Sequence, residues 1–214
     1  MKKIRFIGDV HGDIPEYVKI ANEAEYSIQV GDLGFDYSGM NLDPNKHFVV
    51  AGNHDNYETD EDGKFINQPS NFLGDYGLKE IPGLGDVFFL RGGYSIDQAD
   101  RTPKYNYWRE EELSYQKMYE AIGFYQIHKP NFVVTHECPV EVIDRVSTTK
   151  IWNGEPVKPS TTAKLLQVLF DIHKPKFWIF GHYHNSFDVV VKGTRFICLP
   201  ILGYKDFEVF FHDS

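Results

Sequence analysis

The chain has 214 residues, 42% hydrophobic and 25% charged, a balance that fits a globular domain with a sizeable core. A formal net charge of −9 disfavours bulk binding to nucleic-acid backbones, since the overall field repels phosphate. Cys138 and Cys198 form no C-x-x-C pattern, which argues against a disulfide scaffold, and no run reaches the ~20 apolar residues of a membrane helix.

Residues 4–7 read as a strand that ends at Gly8-Asp9-Val10-His11-Gly12, too short an apolar run for a secretory leader. A helix is predicted over 14–25, with Pro15 in its first turn, where the missing N–H is tolerated. Strands follow at 26–30, ending in Gly31-Asp32, and at 47–51, ending in Gly52-Asn53-His54-Asp55. Residues 56–77 are polar and turn-rich and read as a long surface loop at the rim of a site. A strand at 87–90 runs into Arg91-Gly92-Gly93, and 110–128 has helical character. A strand at 132–134 reaches Thr135-His136, a helix with a polar start covers 161–173, and a strand at 177–180 ends in Gly181-His182-Tyr183-His184. The tail reads as antiparallel strands at 187–191, 195–199 and 207–211, with turns such as Lys192-Gly193. His128, His173 and His212 fall outside these motifs and read as surface or core histidines.

Five of these strands hand over to a polar motif at their C-terminal ends. In open α/β sheets ligands bind beyond the carboxyl ends of strands, so the motifs are expected to share one rim. Singly the motifs are weak, but composition alone yields Gly52-Asn53-His54-Asp55 in only roughly a few chains per thousand. The ordered set G-D-x-H-G, G-D-x-x-G, G-N-H-D, a strand-end histidine and G-H-x-H resembles the calcineurin-like metallophosphoesterase superfamily over residues 4–184. The resemblance implies an α/β fold in four layers, an α-β-β-α sandwich of two mixed sheets, here as one domain over 1–214. It also implies a dimetal centre in which Asp9, His11, Asp32 and His184 hold one ion, Asp32 bridges, and Asn53, His136 and His182 complete the second. The donor types agree, being carboxylate, amide oxygen and imidazole without thiolate, which suits two divalent ions, manganese foremost, with iron, zinc or nickel as alternatives. Two such ions would add +4 and leave about −5, repairing the charge deficit where an anionic substrate must sit. Gly8, Gly31, Gly52 and Gly181 precede these ligands at bends that need either positive φ or close backbone approach. Thr135 stands where many relatives carry glycine, which makes His136 the weakest of the seven matches.

The expected chemistry is hydrolysis of a phosphomonoester or phosphodiester by a metal-bound hydroxide, made available because bound water can drop from a pKa of 15.7 to about 7. His54 is expected to protonate the leaving oxygen, with Asp55 orienting the imidazole and raising its pKa. The segment Tyr94-Ser95-Ile96-Asp97, with Arg101 and then Tyr105, Tyr107 and Trp108, resembles one in a bacterial and phage-associated subgroup. Arg101 there would grip a substrate phosphate, or alternatively form an ion pair with Asp97. Cys138, close after His136, reads as buried structure rather than a ligand. The expected partner is a phosphorylated small molecule or nucleotide in the cytoplasm, with no membrane and no bulk nucleic-acid binding. A nuclease or nucleotide phosphodiesterase of the same superfamily is the alternative. A non-catalytic scaffold on this fold is disfavoured because all seven candidate ligands and His54 are present.

Overall fold

A computed structural model describes residues 2–147, 151–152 and 155–209. Its strands are β1 (Lys2–Ile7), β2 (Tyr26–Gln29), β3 (His47–Val49), β4 (Tyr76–Ile81), β5 (Gly85–Leu90), β6 (Phe132–Thr135), β7 (Ile151–Trp152), β8 (Glu155–Pro156), β9 (Phe177–Phe180), β10 (Phe187–Val191), β11 (Thr194–Cys198) and β12 (Tyr204–Val209). Its α-helices are α1 (Ile14–Asn22), α2 (Tyr115–His128), α3 (Val140–Val146) and α4 (Thr161–Ile172). One sheet has the order β12-β1-β2-β3 and the other β10-β11-β9-β6-β5-β4, while β7 and β8 form a separate pair.

Period-two alternation in β1 decides which sheet face each side chain serves. Ile4 and Phe6 join Ile28, Val30, Phe48 and Val50 against Val87, Phe89, Val134 and Ile179 of the other sheet, forming the core between the sheets. Ile7 points to the outer face, where α1 packs Ile14, Tyr17, Ile20 and Ala21. On that same face Arg5, 2% exposed, donates to both carboxylate oxygens of Asp206 at 2.7 and 2.9 Å and to the Ile20 carbonyl at 3.0 Å. Its guanidinium also lies over the Tyr204 ring, so one buried cation ties the edge strand β12 to β1 and α1. The outer face of the larger sheet carries Phe88, Val133, Trp178 and Phe196, which meet Met118, Ala121 and Tyr125 of α2 and Leu166, Leu169 and Phe170 of α4. Four layers result, α-β-β-α, as the family resemblance implied. The central strands β6 and β9 are apolar on both faces because both faces are covered, whereas β1 and β2 bury Arg5, Ser27 and Gln29 on their outer face.

Departures from the sequence expectation have local causes. Helix α1 stops at Asn22, short of residue 25, where the chain turns toward β2. Helix α2 starts at Tyr115 rather than 110, because Ser114 accepts the Lys117 N–H and caps it there. Strand β4 lies partly within the stretch read as a loop; it pairs only with β5 at the sheet edge, where Gly77, Lys79 and Glu80 give it no strand-like composition. Helix α3 went unread because Val140-Glu141-Val142-Ile143 is β-branched, and packing of Val142 and Val146 into the core overrides propensity. The last strand is shifted to Tyr204–Val209, in register with β1; residues 210 and 211 of the expected strand, and His212, lie outside the described residues.

Candidate metal centre

Strands β1, β2 and β3 run parallel in one sheet and β6 and β9 in the other, so their C-terminal ends open on one rim. The rim gathers all seven predicted ligand residues. Four of them, His11, Asp32, His182 and His184, hold positive φ of 50, 60, 66 and 50°, a left-handed conformation that costs a non-glycine residue about 1–2 kcal/mol and concentrates at functional sites. Of the four predicted bend glycines only Gly31 has positive φ, at 116°. The others are required by crowding: a Cβ on Gly52 would lie 2.3 Å from Asp32 Oδ1, one on Gly181 2.0 Å from Asp9 Oδ1, and one on Gly8 2.2 Å from the Pro200 carbonyl.

Two donor sets meet there. In the first, His11 Nε2 and His184 Nε2 are 2.8 Å apart, and His184 Nε2 is 3.2 Å from Asp9 Oδ2. Asp32 Oδ2 stands 3.9 Å from His11 Nε2, and the four ligand atoms of Asp9, His11, Asp32 and His184 all fall within 4.8 Å of one another. In the second, Asn53 Oδ1 is 3.0 Å from His136 Nε2 and 2.9 Å from His182 Nδ1, the two imidazole nitrogens are 3.2 Å apart, and Asp32 Oδ1 is 3.1 Å from His136 Nε2. Ligands about 2.0–2.2 Å from one ion lie about 3 Å apart when their bonds are perpendicular, so both sets have the spacing of a coordination shell. Asp32 offers one oxygen to each.

The charges also fit a cation. Asp9 and Asp32 are 0% and 1% exposed, and among the described residues neither pairs with a lysine or arginine. Buried charge needs compensation, and without ions His136 supplies it. Burial works to lower that imidazole, yet Asp32, with Asp9 and Asp55, outweighs it and raises the pKa to about 10. Burial likewise works to raise the Asp32 carboxyl, and His136 holds it far below the usual range. His182, desolvated and beside His136, falls to about 3. Burial lowers His11, while the hydrogen bond to Asp9 raises His184. His136 directs Nδ1 at the Val30 carbonyl, 3.1 Å away, and so presents Nε2 to the cluster. Thr135 does not disturb this: its hydroxyl donates to the Glu137 carbonyl and accepts from Trp178 Nε1.

Asp55 does not serve His54. Its buried carboxylate accepts the backbone N–H groups of Asp32, Leu33, Gly34 and Gly52 at 2.7–3.2 Å, together with the Tyr37 hydroxyl, and so clamps two ligand-bearing loops together. The expectation that it raises the His54 pKa is therefore corrected. Burial lowers His54, and Arg101 adds to that effect. His54 donates its backbone N–H to Asp32 Oδ1 at 2.7 Å, and its ring stands edge-on to His11 at a centroid distance of 4.9 Å. Arg101 pairs with Asp97 at 2.7 Å, donates to the Asn53 carbonyl at 3.2 Å and contacts His54 Nε2, so the ion pair is present and also faces the site. Cys138 is a buried free thiol in the core beneath the helices. Residues the sequence did not single out include Ser95, which meets Asn53, and Glu111, which meets Ser95. Glu111 lies in a run of three acids with nothing to distinguish it.

A cavity of about 580 Å³ opens beside the cluster, lined by Asp32, Asn53, His54, His182 and His184 and also by Tyr94, Ile96, Val140 and Ile143. The fold and site together define a metal-binding phosphoester hydrolase class. The chain belongs to the calcineurin-like phosphoesterase family, whose model matches residues 2–186. It is 23% identical over 192 residues to a lariat debranching enzyme of Entamoeba histolytica, a match covering 83% of this chain and 53% of that protein. The chain thus spans about half the length of that curated relative. Among solved structures it is similar to a dimetal phosphatase from Danio rerio (TM-score 0.54, 12% identity, 94% of this chain and 88% of that one). It is likewise similar to a phosphopantetheinyl hydrolase from Mycobacterium tuberculosis (TM-score 0.53, 12% identity, 93% and 89%). These likenesses establish a shared fold. No helix among the described residues is long and apolar enough to cross a membrane.

Proposed function

We propose that the chain hydrolyses a phosphate ester of a small molecule or nucleotide at a binuclear metal centre. The observation that carries this is Asp32, one buried carboxylate with its two oxygens turned to two donor sets. Asp9, His11, Asp32 and His184 would hold one divalent cation, and Asp32, Asn53, His136 and His182 a second, with manganese foremost for this thiolate-free set. When bound, such ions supply positive charge to phosphoryl oxygens and acidify water enough for nucleophilic attack near neutral pH.

His54 lines the cavity beside Asp32 and, in this reading, hands a proton to the leaving oxygen. Before substrate arrives, the Arg101 guanidinium faces His54 Nε2, and since arginine only donates, that nitrogen is the acceptor. A phosphate dianion is a stronger partner for the guanidinium than the imidazole is. Drawing Arg101 onto phosphate frees Nε2 and replaces a positive neighbour with a negative one, which favours the protonated imidazole. The cavity volume lies in the range of small-ligand sites. Its lining combines Tyr94, Ile96, Val140 and Ile143 with Asp97 and Asp144, which suits an organic leaving group with an apolar portion and hydrogen-bond donors. Cleavage of a nucleic-acid phosphodiester, by analogy with the debranching relative, is the second reading; the net charge of −9 weighs against it.

The test is metal analysis of purified protein, followed by hydrolysis assays on aryl phosphate monoesters and diesters, cyclic nucleotides, dinucleoside polyphosphates, phosphopeptides and branched RNA. Two transition-metal ions per chain and chelator-sensitive turnover of small esters are expected. Folded protein that takes up no Mn(II) and leaves every ester intact would defeat the reading. Preferential cleavage of branched RNA would select the second.

A further inference from the structure

An asparagine side chain ends in an oxygen and a nitrogen of nearly equal size, and only the oxygen can face a cation. Shape alone leaves the two orientations almost equivalent, so hydrogen bonds must choose between them. Behind Asn53 a directional chain makes that choice. Asn53 Nδ2 donates to Ser95 Oγ at 3.1 Å. Ser95 in turn donates its hydroxyl proton to Glu111 Oε2 at 2.9 Å and its backbone N–H to Glu111 Oε1 at 2.9 Å. A hydroxyl has a single proton; with that proton directed at Glu111, Ser95 Oγ can only accept from Asn53 and must meet the NH₂ end. Asn53 Oδ1 is thereby turned toward His136 Nε2 and His182 Nδ1, at 3.0 and 2.9 Å. The three residues are 4%, 1% and 3% exposed, so water has little access to replace a missing link.

We infer that Ser95 and Glu111 are positioning residues that set the polarity of the Asn53 amide and so make the buried donor set competent for the second divalent cation. The inference rests on the binuclear reading above. Partners of this kind, one step removed from the metal, carry about 10–100-fold in metal affinity.

Calorimetric titration of EDTA-stripped protein with Mn(II), in mildly alkaline buffer, tests it. Wild-type protein is expected to take up two ions. Ser95→Ala is expected to bind the first as before and the second about 10–100-fold more weakly. Asn53→Asp ends in two oxygens and needs no orienting, so adding Ser95→Ala to that background is expected to change the second affinity by no more than about twofold, the ordinary error of additivity. Unchanged second-ion affinity in Ser95→Ala, equal weakening of both ions, or the same loss in both backgrounds would overturn the inference and leave Ser95 a space-filling residue. Should circular dichroism find Ser95→Ala unfolded, Glu111→Gln answers the same question. Its amide can donate to Ser95 and reverse the chain, so second-ion weakening of similar size is expected there, and full affinity would overturn the proposal. Wild-type protein that binds a single Mn(II) would defeat the binuclear reading itself, an outcome separate from any behaviour of the variants.

Discussion

The two halves of the donor cluster are held in different ways. His136 is fully buried and anchored on its far side to the Val30 carbonyl, while Asn53 is anchored to Ser95. His11 and His184, by contrast, have side chains 26% and 46% exposed and are held by each other and by Asp9 and Asp32. One half centres on the buried His136 and Asn53, with His182 half-buried beside them, and its charges must balance internally; in the other, the two histidines border solvent, where water softens their charge. Burial gives precision but makes His136 and Asn53 part of the protein's stability, whereas the exposed His11 and His184 are free to serve binding alone.

The largest effect is expected where the halves join. Asp32→Asn removes the carboxylate they share, so Mn(II) binding should weaken in both halves and ester hydrolysis should fall by more than the roughly 100-fold typical of outer partners. Metal analysis giving two tightly held ions in this variant would break the idea of a shared carboxylate. His54→Ala probes the space between the halves and the cavity. Its turnover is expected to drop by about 10²-fold or more, the usual contribution of a positioned acid, with Mn(II) stoichiometry kept. Loss of metal would instead make His54 a ligand.

A paired substitution sharpens the comparison directly. In EDTA-treated protein, His136→Ala leaves Asp32 buried without its countercharge and is expected to lower stability by about 3–5 kcal/mol. His184→Ala acts at the open edge and should stay within about 1 kcal/mol. Equal melting temperatures for the two variants would erase the distinction. The smallest effect is a pH dependence with a definite sign. His136 is raised in the fold, to about 10, so its stabilising contribution is complete below its ordinary value near 6.5 and is lost as pH rises through about 10. The melting temperature of EDTA-treated wild type should decline across that window, and the decline should be shallower in His136→Ala. Mn(II) must displace the same proton, so its affinity should rise over the same range, measurable as proton release during titration.

Much of this site was legible in the chain. A strand that ends in Gly-Asp or Gly-Asn-His-Asp announces a polar residue placed by a backbone bend, and five such endings in order converge wherever parallel strands share a rim. The four-layer fold follows from the same runs, apolar enough in β6 and β9 to be covered on both faces. Elements whose local composition opposes their final state were not legible. Strand β4 is polar because it is an edge, and α3 is β-branched because its packing matters more than its propensity.

The ligand-type residues were set by covalent order: a side chain one to four positions past a strand end goes where the strand takes it. What those residues lean on was decided in three dimensions. Asp55 sits beside His54 in the chain yet turns its carboxylate to the backbone of residues 32–34 and 52, and Arg101, 47 residues away, takes the place beside the imidazole. Ser95 and Glu111 orient Asn53 from a separate segment. Hydrogen-bond partners are chosen by distance and direction, and once the chain folds back on itself neither is set by separation along the sequence.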